Sequence, residues 1–268
     1  MEKSQLLRLG EVRAALRLVG ECRDLGYDPQ LWGRHMFAGL CWLTGARVGG
    51  GGEARKPRSA GAPEGVHHVD AGFEPWEQDV FATFLRTYGL DRHPVTIASV
   101  GWLTATPQPG RLTVRTRREF VPDREWYGSF AYNEYHRVIR IDHCLFSVLE
   151  LAADGRYSSI VLSRATGERD FAPRHRHLLR LFHEELGRLI GPVLVSAGDP
   201  FSPTHLPPRV RQTLSCLLEG DGEKQAAARM GLSRETVHQY VKALYRHYCV
   251  ASRAELLARV LRRTNPAG

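Results

Sequence analysis

The stretch "AAARMGLSRETVHQY", Ala226 to Tyr240, leaves the chain few choices of local structure. Two helices that cross at short range need a small residue at the midpoint of the first, and Ala227 stands there. Four residues later Gly231 supplies a turn that needs no Cβ. Leu232 follows, placed to plug the angle between the helices, and Ser233 is placed to accept a bond from an otherwise unpaired amide at the start of the second. Val237, Tyr240, Val241 and Leu244 then fall on one buried face. Arg234, Thr236, His238, Gln239, Lys242 and Arg246 fall on the exposed side or its edges, where Glu235 is the one carboxylate. An ordinary helical hairpin with a solvated face is the plainer alternative, and charge argues against it. Leu206 to Arg263 carries eleven Lys/Arg and five Asp/Glu, a balance of +6 that leaves only +2 of the chain's +8 for all the other residues. A compact basic segment behind a nearly neutral body is the footprint of a nucleic-acid module.

The segment "LPPRVRQTLSCLLEGDGEKQAAARMGLSRETVHQYVKALYRHYCVASRAELLARVL" resembles the LuxR-type (GerE-like) helix-turn-helix domain. The resemblance runs from Leu206 to about Arg263. It rests on the opening Leu206, Arg209, Arg211, Leu214, Leu217 and Gly220, the ARMGLSRETV core and the VxSRAEL closure, in order and in spacing. It implies a four-helix DNA-binding domain whose recognition helix starts near Ser233. Base-edge contacts would come from His238, Gln239 and Lys242, with Arg234, Thr236, Arg246 and Lys224 on phosphate. Ser252 and Glu255 form an S-x-x-E capping box for a fourth helix with the apolar stripe Leu256, Leu257, Val260 and Leu261. In the family that helix commonly dimerises the domain, so the resemblance implies a homodimer on double-stranded DNA. The chain departs from the family at Val210, usually glutamate, at "GEKQAA", usually SNKEIA-like, at His238, usually lysine, and at Tyr240, usually histidine.

Ahead of this segment, "SAGDPFSPTHLPP" (Ser196 to Pro208) holds four prolines and reads as a linker. The expected division is an α+β domain over 1–195, a linker over 196–205 and the DNA-binding domain over 206–263. "RVGGGGEARKPRSAGAPEG" (Arg47 to Gly65) reads as a mobile loop. Before it, Leu6, Leu9, Val12, Leu16 and Val19 predict one amphipathic helix, and Leu31, Met36, Phe37, Leu40 and Leu43 a second. After it, Trp76, Val80, Phe81, Phe84 and Leu85 predict a third, ending near Gly89. "PVTIASVGWL", "RLTVRTRREF", "HCLFSVLEL" and "YSSIVLSRA" read as strands of one antiparallel sheet, and "PRHRHLLRLFHEELGRLIG" returns to helical spacing. Helices flanking an antiparallel sheet make this an α+β domain that resembles GAF or PAS-type sensors in architecture. The expectation is a sensor or dimerisation domain.

No run approaches the ~18 apolar residues of a membrane helix, and the N-terminus lacks the apolar core of a signal peptide. Five scattered cysteines without a CxxC suit a reducing cytoplasm. Cys144, Cys216 and Cys249 read as core positions. His67–His68, His175, His177 and His183 do not complete a metal set, and no GxSxG, P-loop or Ser-His-Asp spacing is present; neither catalytic residues, metal nor cofactor is expected. Trp102, Trp126, Tyr127 and Asp142 are residue types of the autoinducer-binding class without its order and spacing, and buried aromatics are the commoner explanation. "WYGSFAYNEYHR" (Trp126 to Arg137) reads as a ligand pocket or dimer face, or else as a half-buried helix. The reading is a cytoplasmic transcriptional regulator with a small-molecule ligand or RNA polymerase as further partner. Alternatives are a sigma-factor region-four module, which needs no SRAEL helix, and a small-molecule-binding protein or enzyme with a vestigial helix-turn-helix.

Overall fold

The computed structural model describes residues 6–56, 63–89, 92–102, 108–152, 155–199 and 201–264. The chain divides into two compact units, one of Met1–Cys22 with Gly33–Arg188, the other of Arg23–Trp32 with Leu189–Gly268. No described helix is long and apolar enough to cross a membrane.

The first unit is built on a five-stranded antiparallel sheet. Its strands are β1 (Val48–Arg55), β2 (Glu64–Ala71), β3 (Leu112–Thr116), β4 (Ile141–Glu150) and β5 (Arg156–Ala165), in the order β2-β1-β5-β4-β3. β4 is buried along nearly its whole length rather than on alternate residues, so both faces of the sheet are covered. On one face lie α1 (Leu9–Asp24), α2 (Pro29–Thr44) and α7 (Pro173–Gly187). A Cβ on Gly49 would meet Phe37 and Cys41 of α2, and His183 of α7 bridges Ser147 of β4 (2.7 Å) and Ser158 of β5 (3.1 Å). The other face is covered by α3 (Pro75–Tyr88), α4 (Pro94–Trp102), the short helices α5 (Arg117–Phe120) and α6 (Asp123–Gly128), and a π-helical turn at Tyr132–His136. The α+β architecture predicted from the strand and helix runs is the one observed.

Four local expectations are corrected. Arg47 to Gly65 is not simply a loop: Gly49 to Gly52 lie in β1 and its last residues begin β2, while residues 57–62 lie outside the described ones. β1 is paired on both sides, residue by residue with β5 from Val48↔Ser163 to Arg55↔Arg156. The glycines fit because this site excludes side chains. Gly51 and Gly52 have φ of +148° and +144°, and an added Cβ would overlap the carbonyl oxygens of Ser159 and His67. Strand preference follows such packing more than intrinsic propensity.

"PVTIASVGWL" was expected as a strand and is α4, with Leu103 outside the described residues. Pro94 opens the helix with a preset φ, and Nδ1 of His93 accepts the amide of Thr96 at 3.4 Å, as a capping side chain does. "RLTVRTRREF" is a strand only to Thr116, where the Thr116 amide donates to Glu119 (2.8 Å) and α5 begins. The expected apolar stripe of α1 is also displaced. Leu9 and Leu16 are exposed, while Ala15, Leu18, Val19 and Cys22 are buried; Gly39 of α2 lets the two helices close on Leu18.

In the second unit, α8 (Pro208–Leu218), α9 (Glu223–Met230), α10 (Arg234–Tyr248) and α11 (Arg253–Thr264) enclose one core. Val210, Leu214, Leu217, Ala226, Val237, Val241, Leu244, Leu256 and Val260 are among its buried residues. Residues 23–32 belong to it. Tyr27 packs on this core and hydrogen-bonds Ser215; the Val195 amide donates to Gly26 O (2.7 Å), and Trp32 Nε1 to Val195 O (3.4 Å). Cys144 and Cys216 are buried as expected, but Cys249 is exposed: it ends α10 with φ +50°, a left-handed cap position that glycine or asparagine usually fills.

Candidate nucleic-acid interface and ligand cavity

The helix-turn-helix is held by its own small residues. Ala226 and Ala227 are buried between helices, and Gly231 ends α9 at φ +64°. Its amide bonds Ala228 O and that of Leu232 bonds Ala227 O (3.0 Å), closing the turn. Ser233 Oγ then accepts the Thr236 amide at 3.1 Å and caps α10. Because Ser233 and Thr236 also bond one another (2.9 Å), both hydroxyls serve the cap.

Arg234, Gln239, Lys242 and Arg246 are exposed on α10, and Lys224 is exposed on α9. Gln239, Lys242 and Arg246 follow one another at three and four residues and so share a face. His238 is half-buried at its edge, with Nδ1 3.2 Å from Glu223 of α9, and Gln239 Nε2 donates to Glu235 at 3.2 Å. Arg229 belongs to the same basic segment but is paired with Glu219 (2.7 Å) and Asp221 (2.5 Å). The stripe on α11 is divided. Leu256 and Val260 lie in the domain's own core, Leu257 is half-buried and Leu261 is 55% exposed. Ser252 Oγ accepts the Glu255 amide (3.2 Å), while Glu255 reaches back to the Ala251 amide (2.9 Å).

The first unit contains a cavity of about 480 Å³ between the sheet and α3, α4 and the π-helical turn. Ligand sites typically occupy roughly 300–1,000 Å³. Its floor is made by Gly50, Gly52, Ser159, Val161, Phe146 and Val148, where the absent side chains of β1 leave the space. Phe81, Tyr135, His93 and His136 face it from the helical side. His68, Asp70 and Gln78 stand at its more exposed edge, Gln78 donating to Asp70 at 3.0 Å.

At the buried edge, His93 and His136 approach with their Nε2 atoms 3.0 Å apart. Burial lowers the His93 pKa to about 4 and puts that of His136 well below the ordinary histidine value, with His93 and Arg117 adding to the second shift. Both rings are therefore neutral. His136 Nδ1 is buried and has no hydrogen-bond partner among the described residues, an arrangement that costs about 1–3 kcal/mol when nothing fills it.

Trp126, Tyr127 and Asp142 do come together: Asp142 accepts from Trp126 Nε1 (3.3 Å) and Tyr127 OH (2.9 Å). The buried Arg117 pairs with Asp123 and lies 3.7 Å from Asp142, so these side chains form a polar network among themselves; it is not part of the cavity lining. The Trp102 side chain lies outside the described ones. From "WYGSFAYNEYHR", Tyr135 and His136 line the cavity. His175 caps α7 by accepting the Ala172 amide (3.1 Å), and no cluster of three metal-ligating groups occurs among the described residues. Sequence reasoning missed the His93–His136 pair and the Glu223 partner of His238; the only local signal was a histidine just before Pro94, a capping position.

Residues 204–260 match the family model GerE, bacterial regulatory proteins of the luxR family, so this segment is a LuxR-type helix-turn-helix domain. Among solved structures, SdiA in complex with octanoyl-rac-glycerol is similar at 13% identity, covering 94% of this chain and 93% of that one, with a TM-score of 0.40. Escherichia coli SdiA is similar at 14% identity over 98% and 94%, with a TM-score of 0.33. The N-acylhomoserine lactone dependent LuxR family transcription factor CepR2 from Burkholderia cenocepacia is similar at 15% identity over 65% and 97%, with a TM-score of 0.38. No curated protein matches the chain.

Proposed function

We propose that the chain is a cytoplasmic transcriptional regulator that binds duplex DNA through α10, as a homodimer, under the control of a small molecule held in the cavity of its α+β unit. The observation that carries this reading is the LuxR-type domain at residues 204–260, with a capped helix whose exposed face bears Gln239, Lys242 and Arg246. In the major groove that face meets base edges, where Gln pairs with adenine and Lys with guanine. Arg234, at the start of the helix, and Lys224 and Arg246 serve phosphate. Leu257 and Leu261 are the part of the α11 stripe left for a second copy, since Leu256 and Val260 serve the monomer core.

The test is selection of bound duplexes from a random pool, followed by competition between the selected and random sequences at several salt concentrations. Binding should fall steeply with salt as Lys and Arg displace counterions. Gln239→Ala should lose roughly 1–3 kcal/mol on the selected site and little on random DNA. Arg234→Ala should weaken both about equally and lower the salt slope by about one. Absence of duplex binding at low salt would remove the reading, and equal losses for Gln239→Ala on both sequences would remove base readout by α10.

A further inference from the structure

His238 of α10 and Glu223 of α9 meet across the helix-turn-helix. Both oxygens of the Glu223 carboxylate lie within reach of His238 Nδ1, at 3.3 and 3.2 Å. A carboxylate only accepts, so Nδ1 carries the hydrogen and donates it. In the neutral ring Nε2 is then a bare acceptor, and among the described residues His238 bonds through Nδ1 alone. The His238 side chain is 43% exposed and that of Glu223 28%. Glu223 is the first residue of α9, where the positive end of the helix favours its charge.

Arg234, His238 and Lys242 follow one another at four-residue intervals and form one row on α10. His238 thus stands between the residue proposed for phosphate and one proposed for base edges. A bare Nε2 facing phosphate oxygens sets acceptor against acceptor, which is repulsive. Base edges differ. In the major groove the hydrogen-bond donors are N4 of cytosine and N6 of adenine, while guanine N7 and O6 and thymine O4 accept. Every pair carries its amino group on one strand, so an acceptor on the helix reads which way round that pair lies. Lys242, a pure donor, selects the opposite edges. Glu223 also places a negative group in a basic segment that approaches a polyanion, which weakens binding to every sequence alike. Its gain is the orientation of one ring.

We propose that Glu223 and His238 act as one base-reading unit. Glu223 is a positioning residue that holds the ring's proton on Nδ1, and His238 Nε2 accepts from the exocyclic amino group of a cytosine or adenine. The inference rests on the reading of α10 as the recognition helix and names the base chemistry that one of its side chains selects. It makes specificity depend on a residue of α9.

The experiment uses the full chain and the duplex selected from the random pool, with two sets of altered bases. In one set single cytosines or adenines lack the amino group, as 2-pyrimidinone or purine; in the other single purines lack the N7 acceptor, as 7-deaza bases. Competition is measured at about pH 8.5, above the ordinary histidine value of about 6.5. Loss of one amino group should weaken binding of the unaltered chain about fivefold, the size expected of one hydrogen bond. His238→Ala should erase that penalty, and comparing both proteins on both duplexes cancels effects on the duplex itself. His238→Lys, a donor in place of an acceptor, should be sensitive to loss of N7 instead. Glu223→Ala should erase the amino penalty and strengthen binding to random duplex, whereas a merely structural role would weaken both. Nitrogen NMR of the unaltered chain carrying ¹⁵N-histidine, bound to the selected duplex, should show His238 neutral with its proton on Nδ1. That readout decides the matter even where a variant does not fold. The inference is overturned by an amino penalty that survives His238→Ala or Glu223→Ala, by no amino deletion having an effect, by Glu223→Ala weakening random and selected binding alike, or by a proton on Nε2 of His238. Each of these results with duplex binding intact overturns this inference alone. Absence of any duplex binding removes the regulatory reading, and this inference with it.

Discussion

Ser233 shows how much one side chain contributes where helix-end amides lack partners. Its hydroxyl meets the Thr236 amide at 3.1 Å, and loss of such a cap costs about 1 kcal/mol. Ser233→Ala should therefore destabilise the second unit by about that amount in urea unfolding; an unchanged midpoint would show that the cap is not maintained in solution. The two side chains beside it, His238 and Gln239, are each bonded to a carboxylate of their own domain, Glu223 and Glu235. Hydrogen bonds of this kind contribute about 1 kcal/mol each. Ser233, Gly231 and Ala227 were legible in the sequence because their roles depend on residues within a few positions. His93 and His136 are 43 residues apart. Nothing near either one announces the other, and their meaning arises only when α4 and the π-helical turn close over the sheet.

At the scale of elements, the helices of the second unit were readable from periodicity, whereas β1 and α4 were not. β1 carries little compositional sign of a strand: four of its eight residues, Gly49 to Gly52, are glycines, ordered by pairing with β2 and β5. α4 carries β-branched residues, which lower helix propensity only slightly, and its Pro94 start and His93 cap decide its form. Two glycine replacements separate these roles. Gly52→Ala would push a Cβ into the carbonyl oxygen of His67 at a φ of +144°, and should cost about 3 kcal/mol or more. Gly20→Ala, in α1 with nothing within 4 Å of the new Cβ, should stabilise by up to about 1 kcal/mol. Urea midpoints for the two variants should move in opposite directions. A neutral Gly52→Ala would mean that β1 is not packed as described.

For the whole molecule, buried histidines tie stability to acidity. Burial lowers the pKa of His93 to about 4 and of His183 to about 3, while unfolded histidine titrates near 6.5. Between these values the unfolded chain binds more protons than the folded one, so stability rises with pH across the window. It is complete above about pH 6.5 and is lost as pH falls. Each of the two rings should contribute about 2 kcal/mol of loss between pH 7 and pH 5, measurable as a falling urea midpoint; a flat profile over that range would contradict their burial. The same scale holds a feature with no sequence signal: the unit carrying α8 to α11 also owns residues 23–32, through Tyr27, Gly26 and Trp32. Tyr27 and Ser215 are far apart in the chain, and neither sits in a pattern that points to the other. In the language of recombination, a single crossover near residue 189 would transplant the helix-turn-helix domain without the corner that completes its core. A gene exchange that moved this unit whole would need separate junctions around residues 23–32 as well, so its inheritance is tied to the first helices of the chain.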